Sequence, residues 1–268
     1  AEMRRIPVLV NDGHEMLSTA AEAGDEPYYL AQSLKGAMVY SGRERVKAAQ
    51  MAEKAIADVL ILDDGLQHRK LAREYDVIVV DAQSPLAKNS YLPYGFLRDD
   101  PQSLKRANLI VLNHCKNKKK YLAAKEILSE YSSAPTVGLK EGELRLFDAK
   151  NREIADLQYM RVGVFCGIAK PDYFIASLRG LGLEIVKSCF TADHITLTNE
   201  ALIDFSQECK EKNARFLICT EKDWVKLVDT PPLAIPIIKA RQLLRFSYDR
   251  KHWRDFVDGV IDQMIAGV

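Results

Sequence analysis

Short, almost continuously apolar runs alternate along this chain with segments of helical periodicity. Four such runs occupy the first half, at residues 37–40, 59–62, 77–80 and 109–112. Runs of this kind are typical of strands that a parallel sheet buries on both faces. Residues 42–57, between the first two runs, place apolar side chains on one helical face and charged ones on the other. The alternation therefore predicts right-handed βαβ units and an α/β layer architecture.

The pattern changes between residues 134 and 159 and then starts again. Apolar residues flank a polar turn at residues 140–142, which predicts a β-hairpin or a linker. Further strands, separated by helical segments, are predicted at residues 162–165, 183–186, 216–219 and 235–238. Pro236 would confine the last of these to a sheet edge or a strand start. We predict a three-layer parallel-sheet domain at 1–134, a hairpin linker at 135–159 and a smaller α/β domain, ending in a helix, at 160–268.

The charge balance and the cysteines exclude several classes of protein. The chain of 268 residues carries 38 Lys and Arg against 37 Asp and Glu, a net charge of +1. This balance excludes a globally basic nucleic-acid binder, and we expect no nucleic-acid partner. No window reaches the roughly 18 apolar residues of a membrane helix. The five cysteines form no CxxC pair, which indicates reduced thiols and neither a disulfide framework nor a zinc site.

Two adjacent acids follow the apolar run at residues 59–62. Asp63 and Asp64 come directly before Gly65, and Gln67 and His68 follow. In an open α/β sheet, a carboxylate at the carboxyl end of a strand can hold a nucleotide-bound Mg²⁺, as in a Walker B motif. The alternative is a strand that runs into an Asp-Gly turn. The polar side chains of Gln67 and His68 at the same strand end favour the functional interpretation.

A second acidic pair, Asp25 and Glu26, stands directly before Pro27 and a predicted helix at 27–34. Acids at this position can simply cap the helix and interact with its positive N-terminus. They can also supply a base for a substrate hydroxyl and a ligand for a metal ion. These residues alone leave both interpretations open.

Arginines near predicted helix starts and loops are candidates for binding phosphate. Arg43 and Arg45 open the helix after the run at 37–40, and Arg98 lies in a loop that contains a glycine. The guanidinium group suits phosphate oxygens because it presents several donors in one plane. Each of these arginines, taken alone, is equally compatible with an ordinary surface position.

Two loop segments in the second half are ambiguous in the same way. Asp193-His194 is either a helix-capping arrangement or a histidine that orients a carboxylate. Residues 220–223 are either a helix start or charged groups near a ligand. The remaining histidines have no partner in the sequence and are interpreted as structural or exposed: His14, His114 and His252.

Taken together, the motifs resemble the lipid A 4′-kinase (tetraacyldisaccharide 4′-kinase) family. They occur in the family's order and at similar spacing: GDEP at 24–27, GRER at 42–45, DDGLQH at 63–68, LPYGFLR at 92–98, FCGIA at 165–169, DH at 193–194 and TEKD at 220–223. The DDGLQH string is quite specific, and its occurrence together with GDEP is more so.

The resemblance implies a P-loop-NTPase-like kinase that uses ATP and Mg²⁺. It implies transfer of the ATP γ-phosphate to the 4′-hydroxyl of a lipid-linked glucosamine disaccharide. In the family pattern Asp25 would be the catalytic base and His194 its dyad partner. The metal ligands would come from Glu26, Asp63 and Asp64, with Glu26 and Asp64 favoured. The nucleotide and its phosphates would be lined by Arg45, Gln67, His68 and Arg98.

One family element does not occur in these 268 residues, namely the Walker A loop GxxxxGK[ST]. The strand before that loop and the N-terminal hydrophobic helix of the family do not occur either. That helix is expected to attach family members to the cytoplasmic face of the bacterial inner membrane. We therefore expect a fragment of a kinase or a degenerate homologue that binds lipid or a protein partner. The chain alone is expected to transfer phosphate very weakly or not at all, because it lacks the loop's phosphate-binding amides and lysine.

Overall fold

The structure is a computed structural model that describes residues 6–86, 91, 94, 97–155, 157–168, 171–192, 197–227 and 230–266. In chain order the strands are β1 (Val8–Asp12), β2 (Met38–Ser41), β3 (Val77–Asp81), β4 (Leu109–Asn113), β5 (Thr136–Phe147), β6 (Arg161–Cys166), β7 (Glu184–Phe190), β8 (Phe216–Thr220) and β9 (Ile237–Tyr248). The helices are α1 (Ala20–Ala23), α2 (Asp25–Ser33), α3 (Arg45–Lys54), α4 (Lys118–Ser129), α5 (Pro171–Gly180), α6 (Asn199–Glu211), α7 (Glu221–Trp224) and α8 (Arg250–Ala266).

The chain divides into two compact units, and each is built from two stretches of sequence. Unit 1 comprises Ala1–Ala52 and Glu143–Leu243, and unit 2 comprises Glu53–Gly142 and Leu244–Val268. The unit boundaries near residues 143 and 243 fall inside the two longest strands, β5 and β9. This division differs from the predicted one because each of these strands contributes residues to both units.

Unit 1 contains a small antiparallel pair of strands, β1 and β2. The strand predicted at 37–40 is therefore present as β2, but it lies outside the parallel sheet for which it was predicted. Helix α2 covers this pair, and Val10, Ala23 and Ala31 form the buried centre between them. Helix α2 contributes Ala31 to this centre, Ala23 comes from α1, and the ring of Tyr28 packs against the same cluster.

The rest of unit 1 is a parallel arrangement of β7, β6, β8 and the first part of β9. Val162 and Val164 of β6 and Ile218 of β8 are fully buried in its core. Helices α5 and α6 contribute Leu178 and Leu202, which are also fully buried. Pro236 stands directly before β9, where the missing N–H of proline costs no ladder bond, as predicted for a strand start.

Unit 2 is built on the parallel strands β3, β4 and the first part of β5. Leu109 and Leu112 of β4 are 0% exposed, and burying such side chains stabilises a fold by about 1.5–3 kcal/mol each. Helix α4 packs Tyr121, Ala124 and Leu128 into the same core. The α/β class that the apolar runs predict is confirmed.

Two sequence-based predictions of local structure are wrong. Residues 59–62 form no strand, and the side chain of Ile61 is 92% exposed. An apolar run becomes a strand only where a neighbour binds its backbone groups, and in the described part of the chain no strand pairs with this one. The predicted hairpin is also replaced by the single strand β5. Its polar residues Lys140 and Glu141 are exposed, so that the strand continues without burying their charges.

The cysteines and the helices agree with the composition. Four of the five cysteines are buried, and all five are free thiols. Burial raises the pKa of the Cys209 thiol to about 11 and keeps it protonated. Within the described ranges, no helix combines the length and the apolar character needed to cross a membrane.

Candidate active site

The acidic pair Asp25 and Glu26 forms the first turn of α2 in unit 1. Gly24 precedes them with φ +92° and ψ 155° and makes no side-chain cap. Both carboxylates are exposed, and neither has a hydrogen bond or an ion pair with any residue that the structure describes. Neither acid therefore acts as a side-chain cap through a hydrogen bond, although both benefit from the positive end of the helix. They are available to a ligand.

The turn that carries this pair lies against the turn that carries Arg45. Ser41, buried at the end of β2, donates a hydrogen bond of 2.6 Å from its Oγ to the carbonyl of Ala23. At Gly42 the backbone passes so close to Pro7 that an added Cβ would stand 2.7 Å from the Pro7 Cα. Arg45 is the first residue of α3, where the helix dipole disfavours a cation unless an anion lies nearby. Unit 1 thus places two free carboxylates and one cation on adjoining turns.

In unit 2, Asp64 and Arg98 form a bidentate ion pair. The Arg98 Nη1 and Nη2 atoms lie 3.1 and 3.0 Å from the two carboxylate oxygens of Asp64. The Asp64 carboxylate favours the charged guanidinium and raises the pKa of Arg98. Gln67 makes two hydrogen bonds with Arg98. Its Nε2 atom donates to the Arg98 carbonyl over 2.7 Å, and its Oε1 atom accepts from Arg98 Nη2 over 3.2 Å. Two of the predicted motifs, DDGLQH and LPYGFLR, therefore meet through these side chains.

Two arginines, Arg73 and Arg106, hold the loop at residues 63–68 through hydrogen bonds to its carbonyl groups. Arg73 donates to the carbonyls of Leu66 and His68 over 3.2 and 3.1 Å and is itself paired with Asp76 over 2.6 Å. Arg106 donates to the same Leu66 carbonyl over 3.2 Å. The His68 Nε2 atom is buried and has no hydrogen-bond partner within the described residues. Buried polar atoms normally have partners, so a ligand atom would fit there.

Mg²⁺ is the metal that the family resemblance implies, and the donor chemistry of this loop fits it. Asp63 is exposed, and in the described part of the chain its carboxylate forms no ion pair and accepts no hydrogen bond. Mg²⁺ usually takes one or two protein carboxylates and completes its shell with water and phosphate oxygens. No group of three or more His, Cys, Asp or Glu side chains suited to a metal occurs among the described residues. Asp63 thus offers a free carboxylate to a metal ion, and Asp64 offers a second one that is shared with Arg98.

The predicted residues thus fall into two sets. Unit 1 brings together Asp25, Glu26 and Arg45, and unit 2 brings together Asp63, Asp64, Gln67, His68 and Arg98. His194, the predicted dyad partner, and the neighbouring Asp193 lie outside the described residues.

Asp223 links two further motifs of unit 1 through its buried carboxylate, which is 2% exposed. One carboxylate oxygen accepts from the Gly167 backbone N–H over 3.0 Å, and the other accepts from the Thr220 hydroxyl over 2.6 Å. Burial and the nearby Asp223 charge raise the pKa of Cys166 to about 12. The FCGIA and TEKD strings are thereby joined at the carboxyl ends of β6 and β8.

A polar pair that the sequence motifs did not indicate lies at the carboxyl ends of β3 and β4. Asp81 ends β3 opposite Asn113, and the His114 Nδ1 atom lies 3.3 Å from the Asp81 carboxylate. His114 has φ +56°, an uncommon backbone conformation for a residue other than glycine. Parallel strands end at one edge of the sheet, so the polar residue that follows each apolar run could have indicated this pair.

Comparison with known proteins decides the family. Residues 1–262 match the model of the family described as tetraacyldisaccharide-1-P 4′-kinase, LpxK. The chain belongs to this family. It is 34% identical over 245 residues to the tetraacyldisaccharide 4′-kinase of Desulfotalea psychrophila, with 90% of this chain and 70% of that protein covered. It is 36% identical over 223 residues to the enzyme of Geobacter metallireducens, with 82% and 64% covered.

A solved LpxK structure shows the same fold. The structure of LpxK from Aquifex aeolicus in complex with ATP matches with a TM-score of 0.74 at 24% identity. The match covers 97% of this chain and 75% of that one. The resemblance to the lipid A 4′-kinase family that the motifs indicated is confirmed, and so is the P-loop-kinase type of α/β fold. The chain itself spans 64% of the length of its Geobacter relative.

Proposed function

We propose that the protein containing this chain transfers the γ-phosphate of ATP to the 4′-hydroxyl of a lipid-linked glucosamine disaccharide, a precursor of lipid A. The observation that carries the proposal is the free acidic pair, Asp25 and Glu26, in a chain whose family consists of 4′-kinases. In phosphoryl transfer a protein mainly positions the reactants and stabilises charge, and these loops supply charged groups for that purpose.

Asp25 is the proposed base for the acceptor hydroxyl. Its carboxylate is exposed and makes no ion pair with the described residues, so it can accept a hydrogen bond from a sugar hydroxyl without first breaking another contact. As the hydroxyl oxygen attacks the γ-phosphorus, the bond from that phosphorus to the β–γ bridging oxygen breaks, ADP leaves, and the hydroxyl proton passes to the carboxylate. The family pattern gives His194 the role of partner to this base.

Arg98 is the proposed ligand for a phosphate group of ATP. Its two donors already match a planar pair of oxygens in Asp64, and a phosphate offers the same pair. Gln67 keeps the guanidinium in place by accepting from it. Arg45 and the unpartnered nitrogen of His68 are the further proposed contacts to the nucleotide.

Asp63 and Asp64 of unit 2 are proposed as ligands of Mg²⁺, and the family resemblance also gives Glu26 of unit 1 the role of a metal ligand. The ion, when bound, neutralises charge on the phosphate oxygens. The chain contributes by presenting carboxylates to it. Asp63 is free to do so, whereas Asp64 must share its carboxylate with Arg98 or release it.

The location of the reaction follows from the two substrates. A lipid-linked acceptor lies in a membrane and ATP is dissolved in the cytoplasm, so we propose that the protein works at the cytoplasmic face of the bacterial inner membrane. These 268 residues contain no GxxxxGK[ST] loop, so the proposed activity is that of the whole protein. The chain by itself is expected to supply only the base for the acceptor hydroxyl and the carboxylates that bind the metal ion.

The test is transfer of label from γ-³²P-ATP to tetraacyldisaccharide 1-phosphate by the full-length product of the gene. We expect label at the 4′ position, no transfer without Mg²⁺, and none to a 4′-deoxy acceptor. The 268-residue chain is assayed in parallel, with little or no transfer expected. Binding of the lipid without any transfer by the full-length protein would instead favour a non-catalytic homologue.

A further inference from the structure

Helix α2 is anchored to α7 by a contact between residues far apart in the chain. The Tyr29 hydroxyl donates to the Glu221 Oε2 atom over 2.8 Å across 192 positions of sequence. The other carboxylate oxygen of Glu221, Oε1, lies 2.6 Å from the Arg241 Nε atom. Glu221 therefore joins α2 to α7 and β9, and all three lie in unit 1.

The surroundings of Glu221 leave it little freedom. Its side chain is 13% exposed, and that of Arg241 is 29% exposed. The Arg241 guanidinium lies over the Phe147 ring at 4.6 Å, and the Lys239 ammonium lies over the Trp224 ring at 5.4 Å. Hydrogen bonds in such a partly desolvated network are stronger than at an open surface, and their geometry is fixed by the packing. The acceptor that Tyr29 meets is thus held in place from the α7 and β9 side.

Tyr29 stands one helical turn after Asp25, so the two residues share a face of α2. The helix has only nine residues, and the Gly24 that precedes it is the most permissive residue for the backbone. Gln32 and Ser33, on the following turn, line the same small cleft as Glu221 and Arg241. A constraint at Tyr29 therefore acts within one turn of the Asp25 carboxylate.

We propose that Glu221, through its hydrogen bond from Tyr29, is a positioning residue that fixes the start of α2 and thereby the Asp25 carboxylate. The inference rests on the proposed function, because it assumes that Asp25 is the base. It gives the TEKD motif two positioning roles, since Asp223 holds the loop after β6 and Glu221 holds the helix that carries the base. Glu221 itself is not required to touch the substrate.

The protonation state of the Tyr29 hydroxyl agrees with this positioning role. Burial and the hydrogen bond to Glu221 raise the pKa of Tyr29, so the hydroxyl keeps its proton at any pH at which the kinase is assayed. Tyr29→Phe removes this one donor and leaves the ring in place. Tyr28, on the same helix, provides the matched control, because its hydroxyl has no hydrogen bond with the described residues.

The experiment measures kcat and KM for the acceptor in the full-length protein. For Tyr29→Phe we expect kcat to fall about ten- to a hundredfold with KM little changed, because a misplacement near 1 Å has effects of this size. Glu221→Ala should match it, and the double variant should lose no more than either single one. Glu221→Gln keeps an acceptor for Tyr29 and should restore most of kcat. Tyr28→Phe should have wild-type kcat.

Three results would overturn the inference: wild-type kcat in Tyr29→Phe, additive losses in the double variant, or a rise in KM equal to the fall in kcat. Thermal unfolding of each variant shows whether a loss is one of folding. Failure of the proposed function looks different. If Asp25→Asn transfers phosphate at the wild-type rate, then Asp25 is not the base, whatever Tyr29→Phe does.

Discussion

The two sets of candidate residues differ in what their charged groups contact. In unit 1, Asp25 and Glu26 are unengaged by the described residues, and the helix that carries them, α2, is anchored through the half-buried Glu221. In unit 2, Asp64 and Arg98 neutralise each other at an exposed position, 64% and 57% exposed. A ligand can meet Asp25 and Glu26 directly, whereas at the Asp64–Arg98 pair it must take the place of one partner.

The two sets therefore differ in the free energy that a ligand must supply to reach their charged groups. Exposed ion pairs are worth about 0–1 kcal/mol, so phosphate can replace Asp64 on Arg98 at little expense. The unit 1 carboxylates require no exchange, but their position depends on a short helix and its anchor. We therefore expect variants of the unit 1 set to lower kcat and variants of the unit 2 pair to change the affinity for ATP.

The largest effect is expected for Asp25→Asn in the full-length protein. The amide keeps the shape of the side chain but cannot take the proton, and general-base catalysis contributes about 10²–10⁴-fold. We expect kcat to fall by this factor with little change in KM for ATP. Asp172→Asn is the matched control, because Asp172 is also an exposed acid in the first turn of a unit 1 helix. A residual kcat within a few-fold of wild type would remove Asp25 from the mechanism.

The next effect is expected for Arg98→Lys. Lysine keeps the charge but loses the planar fork that meets two oxygens at once. We expect KM for ATP to rise about tenfold, the value of one charge-assisted hydrogen bond, with a smaller change in kcat. Arg152→Lys controls for the substitution, because Arg152 forms a similar exposed pair with Asp148 over 2.7 Å. If KM for ATP is unchanged in Arg98→Lys, the Asp64 pair is structural only.

The apolar runs predicted strands correctly where a neighbouring strand pairs with the run. The run at residues 109–112 became β4, in which all four residues are buried. The similar run at residues 59–62 did not form a strand, because strand formation also requires a neighbour for the backbone groups. Composition along a single segment carries no information about that neighbour. The strand before Asp63 was therefore predicted from the pattern and is absent from the described structure.

The periodicity of the sequence could not predict the side-chain contacts among the candidate residues. Local motifs indicated Asp64 and Arg98 separately, but only the fold shows that they pair across 34 positions. Tyr29 and Glu221 are ordinary polar residues 192 positions apart, and neither one alters a helix or strand pattern. Resemblance to a family supplied candidate roles, and the tertiary structure supplied the contacts on which those roles depend.

A smaller effect is expected for Gly24→Ala, directly before helix α2 in unit 1. Its φ of +92° lies in the region that other residues rarely adopt, while an added Cβ would meet only the Pro27 Cδ atom at 3.7 Å. The cost of Gly24→Ala is therefore conformational, about 1–3 kcal/mol in the free energy of unfolding, because φ +92° with ψ 155° is a combination that almost only glycine adopts. Because the strain lies next to Asp25, kcat should fall several-fold as well.

Gly180→Ala is the control for Gly24→Ala, in the same unit. Nothing lies within 4 Å of an added Cβ at Gly180, and its φ is outside the left-handed region. Alanine there should leave the free energy of unfolding unchanged or raise it slightly, since the unfolded chain loses freedom. Denaturant unfolding measures both variants. Equal stability of the two would show that α2 can begin without a glycine conformation at residue 24.

The smallest effect is expected for Asp249 and its contacts with helix α4 in unit 2. The Asp249 carboxylate accepts from the Tyr121 hydroxyl over 2.7 Å and lies 3.0 Å from the Lys125 ammonium. These two contacts lower the pKa of Asp249 from its ordinary value of 3.8. A carboxyl whose folded pKa is lowered stabilises the fold above its unfolded pKa, and this contribution is lost as pH falls through the folded pKa. The carboxylate is 42% exposed, so solvent screening limits its contribution to about 1 kcal/mol.

Asp249→Asn should therefore lower the free energy of unfolding by about 1 kcal/mol at pH 7, with the difference from wild type vanishing well below pH 3.8. Asparagine tolerates the φ of +51° at this position, so the backbone is not the cause of any loss. Asp262→Asn, on the exposed face of α8, is the control and should leave the free energy of unfolding at pH 7 unchanged, because Asp262 has no hydrogen bond or ion pair with the described residues. A pH-independent difference for Asp249→Asn would mean that hydrogen bonding to Tyr121, and not the carboxylate charge, stabilises this core. Unit 2 would then resemble unit 1, where the anchor of α2 also depends on a tyrosine hydroxyl.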